Sequence, residues 1–324
     1  MSNNLSLNLS NNIYFDSFNN QATAYDSYNA YLLAVISEKT YRQEKVARLG
    51  GKNETNEDWA KRIKEEGKAW GFKRTYCFNH KGSQAILLVD SEKMILGFRG
   101  SEERSDWTNN MNRIKNKIFQ ETLGILVHTG FYDYVLKIWQ PYNDPKGRKE
   151  GQGIKAILLE EIQDKPKSLW LTGHSLGGAA AAVTAALCVL ENVPIEIAGI
   201  YTFGQPRVGD TRFANWFNER FKDKTFRFVN HNDGVPKIPT VAPLFFFKHV
   251  GQMKHITEKG KIKDAVGASW WEKLIDKLKG LDDYILEKSF GLIADHNMST
   301  GYLAAVLKEL KELSDNLKEL SDKT

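Results

Sequence analysis

Hydrophobic and polar positions along the chain switch repeatedly between a helical period and short strand-like runs. Tyr28, Leu32, Val35 and Ile36 recur at helical spacing inside 24–42 and predict an amphipathic helix. The charged stretch 50–71 reads as a solvated helix with loops. Apolar runs at 85–89 and 94–98 flank Asp90-Ser91-Glu92-Lys93, the pattern of a hairpin. A polar loop rich in Pro, Gly and Lys covers 141–153, and a helical pattern follows over 154–162. A strand at 168–171 then leads into Gly173-His174-Ser175, and an alanine-rich helix runs to about Asn192. Strand 195–203, helix 211–221 and strand 225–229 complete this region. Strands alternating with helices need crossover connections, so the pattern predicts an α/β fold with a mostly parallel sheet flanked by helices.

The later segments are less regular. The apolar run 246–251 around His249 reads as a terminal strand. Trp271, Leu274, Ile275, Leu278, Leu281, Tyr284 and Ile285 form one helical stripe, and 302–320 forms another. The second ends in a seven-residue echo, Lys311-Glu312-Leu313-Ser314-Asp315 and Lys318-Glu319-Leu320-Ser321-Asp322. A coiled coil needs three or more heptads, so a helix packed on the sheet is the expectation. The Asn/Ser-rich residues 1–22 read as disordered. The remainder, 23–324, reads as a single domain with a less typical insert at about 254–292.

Composition narrows the function classes. With 324 residues, 41% of them hydrophobic, the chain can bury a large core without staples. Forty-five Lys and Arg oppose forty Asp and Glu, and both signs are spread along the chain, which argues against a dedicated nucleic-acid binder. Two cysteines, Cys77 and Cys188, exclude a disulfide-rich scaffold and a cysteine-based zinc cluster. The weakly polar run 176–190 is too short to cross a bilayer. Residues 1–12 lack the basic start and apolar core of an export signal. The expected setting is cytoplasmic, with peripheral work at a membrane's inner face left open.

The chemistry concentrates at Gly173-His174-Ser175-Leu176-Gly177, a G-x-S-x-G pentapeptide between a strand and a helix. Small residues on either side of the serine permit a sharp turn that lifts its hydroxyl out of the sheet. A serine needs a base, and the base needs a partner to fix its tautomer. In such a fold the acid follows a later strand. Asp233 does so, Asp210 sits where it would cap the helix at 211, and Asp264 lies in a basic, irregular stretch. Three histidines come after Asp233, namely His249, His255 and His296, and spacing alone does not choose among them. No pair of histidines has metal-ligand spacing such as H-E-x-x-H.

Gly-His-Ser-Leu-Gly-Gly-Ala at 173–179 resembles the elbow of the class 3, or fungal-type, lipases of the α/β-hydrolase fold. Phe98-Arg99-Gly100-Ser101 resembles that family's oxyanion loop, and Val127-His128-Thr129-Gly130-Phe131 a strand-end motif after it. Thr202-Phe203-Gly204-Gln205-Pro206-Arg207-Val208-Gly209 resembles its strand-and-loop signature. Asn232-Asp233-Gly234-Val235-Pro236 with Pro239 resembles the acid segment, and Asp295-His296 with Tyr302-Leu303 the histidine segment. The likeness covers about 25–310, is weak over 254–290 and is absent from the first twenty residues.

The resemblance implies a triad of Ser175, Asp233 and His296, with the backbone N–H groups of Ser101 and Leu176 as oxyanion donors. It implies hydrolysis of a carboxylic ester, most naturally an acyl glycerol, without a cofactor. Phospholipase A1 or galactolipase action on membrane lipids is the alternative within the class. A hydrolase-like protein used for binding or assembly is the alternative outside it. The implied partner is a lipid or ester substrate, with transient contact to a lipid surface and no nucleic acid. Trp107, Met111, Ile114 and Ile118 fall at helical spacing within 102–118, which suits either an amphipathic lid or a helix packed permanently on the sheet. Leu244-Phe245-Phe246-Phe247 with Trp270-Trp271 suits either a second lipid contact or a buried strand.

Overall fold

A computed structural model of the chain describes residues 15–43, 53–101, 116–120, 124–231, 233–239, 247–264 and 296–321. The stripe at 271–285, most of the 254–292 insert, and 102–115 lie outside them, as do Leu244, Phe245 and Phe246. Among the described residues the main sheet has eight strands in the order β1-β2-β3-β6-β7-β8-β9-β10. These are β1 (Arg74–His80), β2 (Ser83–Val89), β3 (Lys93–Phe98), β6 (Ser168–His174), β7 (Glu196–Phe203), β8 (Thr225–Asn230), β9 (Gln252–Ile256) and β10 (Ile262–Asp264). The five from β3 to β9 run parallel, and the outer pairings at each edge are antiparallel. A separate two-stranded sheet joins β4 (Asn116–Gln120) to β5 (Ile125–His128).

Helices cover both faces. One layer holds α3 (Thr129–Trp139), α4 (Gly153–Glu161), α5 (Leu176–Leu190) and α6 (Thr211–Phe221). The other holds α1 (Ser27–Lys39), α2 (Asn56–Ala69) and α7 (Ala304–Ser321). Local chemistry sets their starts. The Asp26 carboxylate accepts from the Asn29 N–H at 2.9 Å, and Thr55 and Asp58 form a reciprocal capping box. As expected, Asp210 caps α6, accepting from the Phe213 N–H at 2.8 Å.

Five readings change. Phe15 and Phe18, inside the segment expected to be disordered, are buried against Trp70, Phe72 and Trp170. Strand β1 was not foreseen, because polar residues at both ends hide its apolar centre; Glu150 caps its outer edge, accepting from the Cys77 N–H at 3.3 Å. Ile118, expected on a helix, lies on strand β4. The last parallel strand begins at Gln252 and holds His255, whereas His249 precedes it in a non-strand segment. Asp264, expected in an irregular stretch, ends β10 and pairs with Lys254 at 2.5 Å.

Candidate active site

Strand β6 ends at His174 and α5 begins at Leu176, so Ser175 alone makes the turn. It adopts φ 59° and ψ −127°, a conformation that L-residues hold only under compulsion from their surroundings. That compulsion is close packing. A Cβ on Gly173 would lie 2.3 Å from the Gly177 carbonyl carbon, and one on Gly177 would lie 2.2 Å from the Phe98 oxygen. Only glycine at both positions lets the alanine-rich α5 lie so near the sheet. The Ser175 N–H donates to the Phe203 carbonyl at 2.8 Å, which seats the turn over β7. Leu176 is the first residue of α5, so its N–H stands at the positive end of that helix's dipole.

Asp233 follows β8 and is 1% exposed. Its Oδ1 accepts from the Val235 N–H at 2.8 Å, and its Oδ2 lies 2.7 Å from His296 Nδ1. The structure therefore brings the predicted acid and base together and leaves His249 and His255 elsewhere. Gly204, with φ 61°, lies under this pair: a Cβ there would come within 2.8 Å of the His296 ring and 3.0 Å of Asp233 Oδ2. Because Phe203 holds the Ser175 turn and Gly204 faces His296, one strand end sets both groups.

Two further side chains join the site, Tyr302 and His174. The Tyr302 hydroxyl donates to Asp233 Oδ2 and accepts from the Asn230 N–H at 3.2 Å. Burial, and then the Asp233 charge, push that phenol well above its usual range, so it stays a donor. A π-helical turn, Met298–Leu303, follows His296 and carries Tyr302 to the same carboxylate. His174 lies with its ring 4.5 Å from that of His296 and its Nδ1 2.8 Å from the Tyr41 hydroxyl. Burial, and then the neighbouring His296, hold its imidazole well below the ordinary range, so it stays neutral beside the base. His128 instead caps α3, accepting from the Gly130 N–H at 3.1 Å.

Ser101 follows Phe98, the last rung of β3 beside Gly173, and the intervening Gly100 lies against the Ser175 turn. Among the described residues no group of three metal-ligating side chains gathers. Among them, too, no helix is long and apolar enough to cross a membrane.

Residues 95–242 match the model of the family "Lipase (class 3)", a stretch that includes Ser101, Ser175, Leu176 and Asp233 and stops short of His296. The chain is 31% identical over 171 residues to a secreted mono- and diacylglycerol lipase of Fusarium solani, covering 52% of this chain and 46% of that one. It is 34% identical over 177 residues to a lipase of Rhizomucor miehei, covering 52% and 43%. The chain thus spans less than half the length of these curated relatives. A solved triacylglyceride lipase of Rhizomucor miehei superposes with a TM-score of 0.51 at 23% identity, over 73% of this chain and 83% of that one. M37 lipase superposes with the same score at 18% identity, over 64% and 69%. The fold is that of the α/β-hydrolases, and the resemblance to class 3 lipases holds over the matched segment.

Proposed function

We propose, with the class 3 lipase match as premise, that the chain is a serine-dependent carboxylic ester hydrolase acting on acyl glycerols. The observation that carries this reading is the Asp233–His296 pair at 2.7 Å, together with a serine held at φ 59° in the turn between β6 and α5. In the reaction, His296 takes the Ser175 hydroxyl proton as the oxygen attacks the ester carbonyl. The N–H groups of Ser101 and Leu176 receive the charge that forms on the carbonyl oxygen. Collapse expels the alcohol, which leaves with the proton from His296, and the acyl group stays on Ser175. Water, deprotonated by His296, then attacks the acyl-enzyme and releases the acid. Asp233 keeps the His296 Nδ1 proton facing it throughout, so Nε2 is the atom that shuttles.

The test is a panel of acyl glycerols, phospholipids and galactolipids, with fluorophosphonate labelling, comparing wild type and Ser175→Ala. We expect acyl-glycerol turnover to fall about a thousandfold or more in the variant, and labelling to vanish. Preference for phospholipid or galactolipid would move the reading to a phospholipase A1 or galactolipase. A wild type that neither labels nor turns over would favour a binding or assembly role. The reading includes transient contact with a lipid surface through 102–118, which predicts faster turnover of emulsified than of dissolved ester. Equal rates on both sides of the solubility limit would count against that contact.

A further inference from the structure

After its last rung with Gly173, the chain leaves β3 through Arg99 and Gly100 to reach Ser101. Two peptide groups decide where the Ser101 N–H points: the one joining Arg99 to Gly100, and the one joining Gly100 to Ser101. Glycine places no Cβ between them, so local sterics leave the second free to turn over. A turned peptide would present the Gly100 carbonyl, an acceptor, where an oxyanion needs a donor.

Both sides of this turn are braced. A Cβ at Gly100 would lie 2.1 Å from the Tyr41 hydroxyl, 2.8 Å from the His174 carbonyl oxygen and 3.1 Å from Ser175 Cβ. The backbone is thus pressed against the nucleophile on one side. On the other, the Tyr134 hydroxyl from α3 lies 2.8 Å from the Arg99 carbonyl oxygen. The same hydroxyl accepts from the Gln84 N–H at 3.0 Å and lies 3.0 Å from the Gln84 oxygen. That oxygen already receives the Arg99 N–H at 3.1 Å. A hydroxyl has one proton to give, and the shorter of its two carbonyl contacts is to Arg99. Tyr134 is 7% exposed, so water competes little for these bonds.

We propose that Tyr134 is a positioning residue for the oxyanion turn: its hydroxyl fixes the Arg99–Gly100 peptide and thereby aims the Ser101 N–H at the reacting carbonyl. The proposal rests on the serine-hydrolase reading and adds a residue to it. The experiment compares the full chain with Tyr134→Phe and Tyr134→Met, using a soluble p-nitrophenyl ester and a trifluoromethyl ketone of the same acyl length. The ketone adds to Ser175 and places an oxyanion in the hole, whereas KM reports mainly on the unreacted ester. Deleting a donor outright costs on the order of a hundred- to a thousandfold, so misaiming one should lower kcat by about ten- to a hundredfold. KM should hold within about twofold, and ketone affinity should fall by the same factor as kcat. Unchanged kcat and ketone affinity in a variant with a lowered melting point would overturn the proposal, since the hydroxyl would then only tie α3 to β2. Failure of both variants to fold would overturn it on the same ground. A wild type inert to ester and ketone alike would instead remove the hydrolase reading, and this proposal with it.

Discussion

Asp233 is the most heavily engaged side chain of the site, accepting from Val235, His296 and Tyr302 while almost wholly buried. Together these bonds fix the carboxylate against the His296 ring, the arrangement the proposed reaction needs. Tyr302→Phe removes one charge-assisted bond without emptying the space. The expected result is a fall in kcat of about tenfold, matching roughly 1.4 kcal/mol, with KM nearly unchanged. An unaltered kcat would mean that Val235 and His296 suffice to hold the carboxylate. His174 supports a prediction on stability. Its folded value lies below its unfolded value of about 6.5, so between the two, unfolding takes up a proton. The stability it contributes is complete above about pH 6.5 and is lost as pH falls, by up to about 1.4 kcal/mol per unit. Urea midpoints at pH 7.5, 6.5 and 5.5 should show that decline in wild type and a flatter one in His174→Gln. The candidate triad was legible because the proposed reaction demands those residue types in that order along the chain. Tyr302 and Tyr134 act on atoms 69 and 35 residues away, and nothing local in the sequence marks such partners.

At the scale of elements, the elbow is a packing device before it is a chemical one. Gly177→Ala would set a methyl 2.2 Å from the Phe98 oxygen, so α5 must lift from the sheet and carry the Leu176 N–H with it. Overpacking of this kind costs about 1–3 kcal/mol, and the variant should lose labelling at Ser175 while remaining folded by circular dichroism. Full labelling would mean that α5 shifts without disturbing the turn. The alanine run of α5 announced this close approach in advance. The terminal strand was misplaced for a different reason. Phe247 and Val250 are apolar because they fill the core from a segment whose one sheet-like link, among the described residues, is a bridge from Lys248 to Gly209. The true strand β9 mixes Gln, Lys and His with its apolar residues. Hydrophobicity reports burial, and burial is not confined to regular elements. The π-turn escaped for a related reason: its Tyr302 N–H reaches back to the Asn297 carbonyl at 3.3 Å, a spacing that helical periodicity does not encode.

Across the whole molecule, the two faces of the sheet have different duties. The α3–α6 face carries the elbow helix, while α1 and α7 pack on the opposite face. Tyr25, just before α1, donates to Glu309 of α7, and Lys254 of β9 stands 3.8 Å over the Tyr25 ring. Burial raises the Glu309 carboxyl, which its bond to Tyr25 only partly offsets. Glu309→Ala should therefore cost about 1–3 kcal/mol by stranding the buried phenol, lowering the melting point, whereas Glu309→Gln keeps an acceptor and most of the stability. Equal losses in the two variants would argue that charge, not acceptance, matters there. Alternating strands and helices made this layered plan readable, since each crossover had to lie on one face or the other.

The packing of α7 on α1 also sets an order of events during synthesis. The Ser175 turn, the Asp233 loop and all the described strands are made before His296 and the π-turn that bears Tyr302. Until that last stretch arrives, a growing chain holds the Ser175 turn without its proposed base, and the face of α1 that α7 covers lies bare. An element made early is thus covered late, and the helix that covers α1 is continuous in the chain with the segment that brings His296 to Asp233.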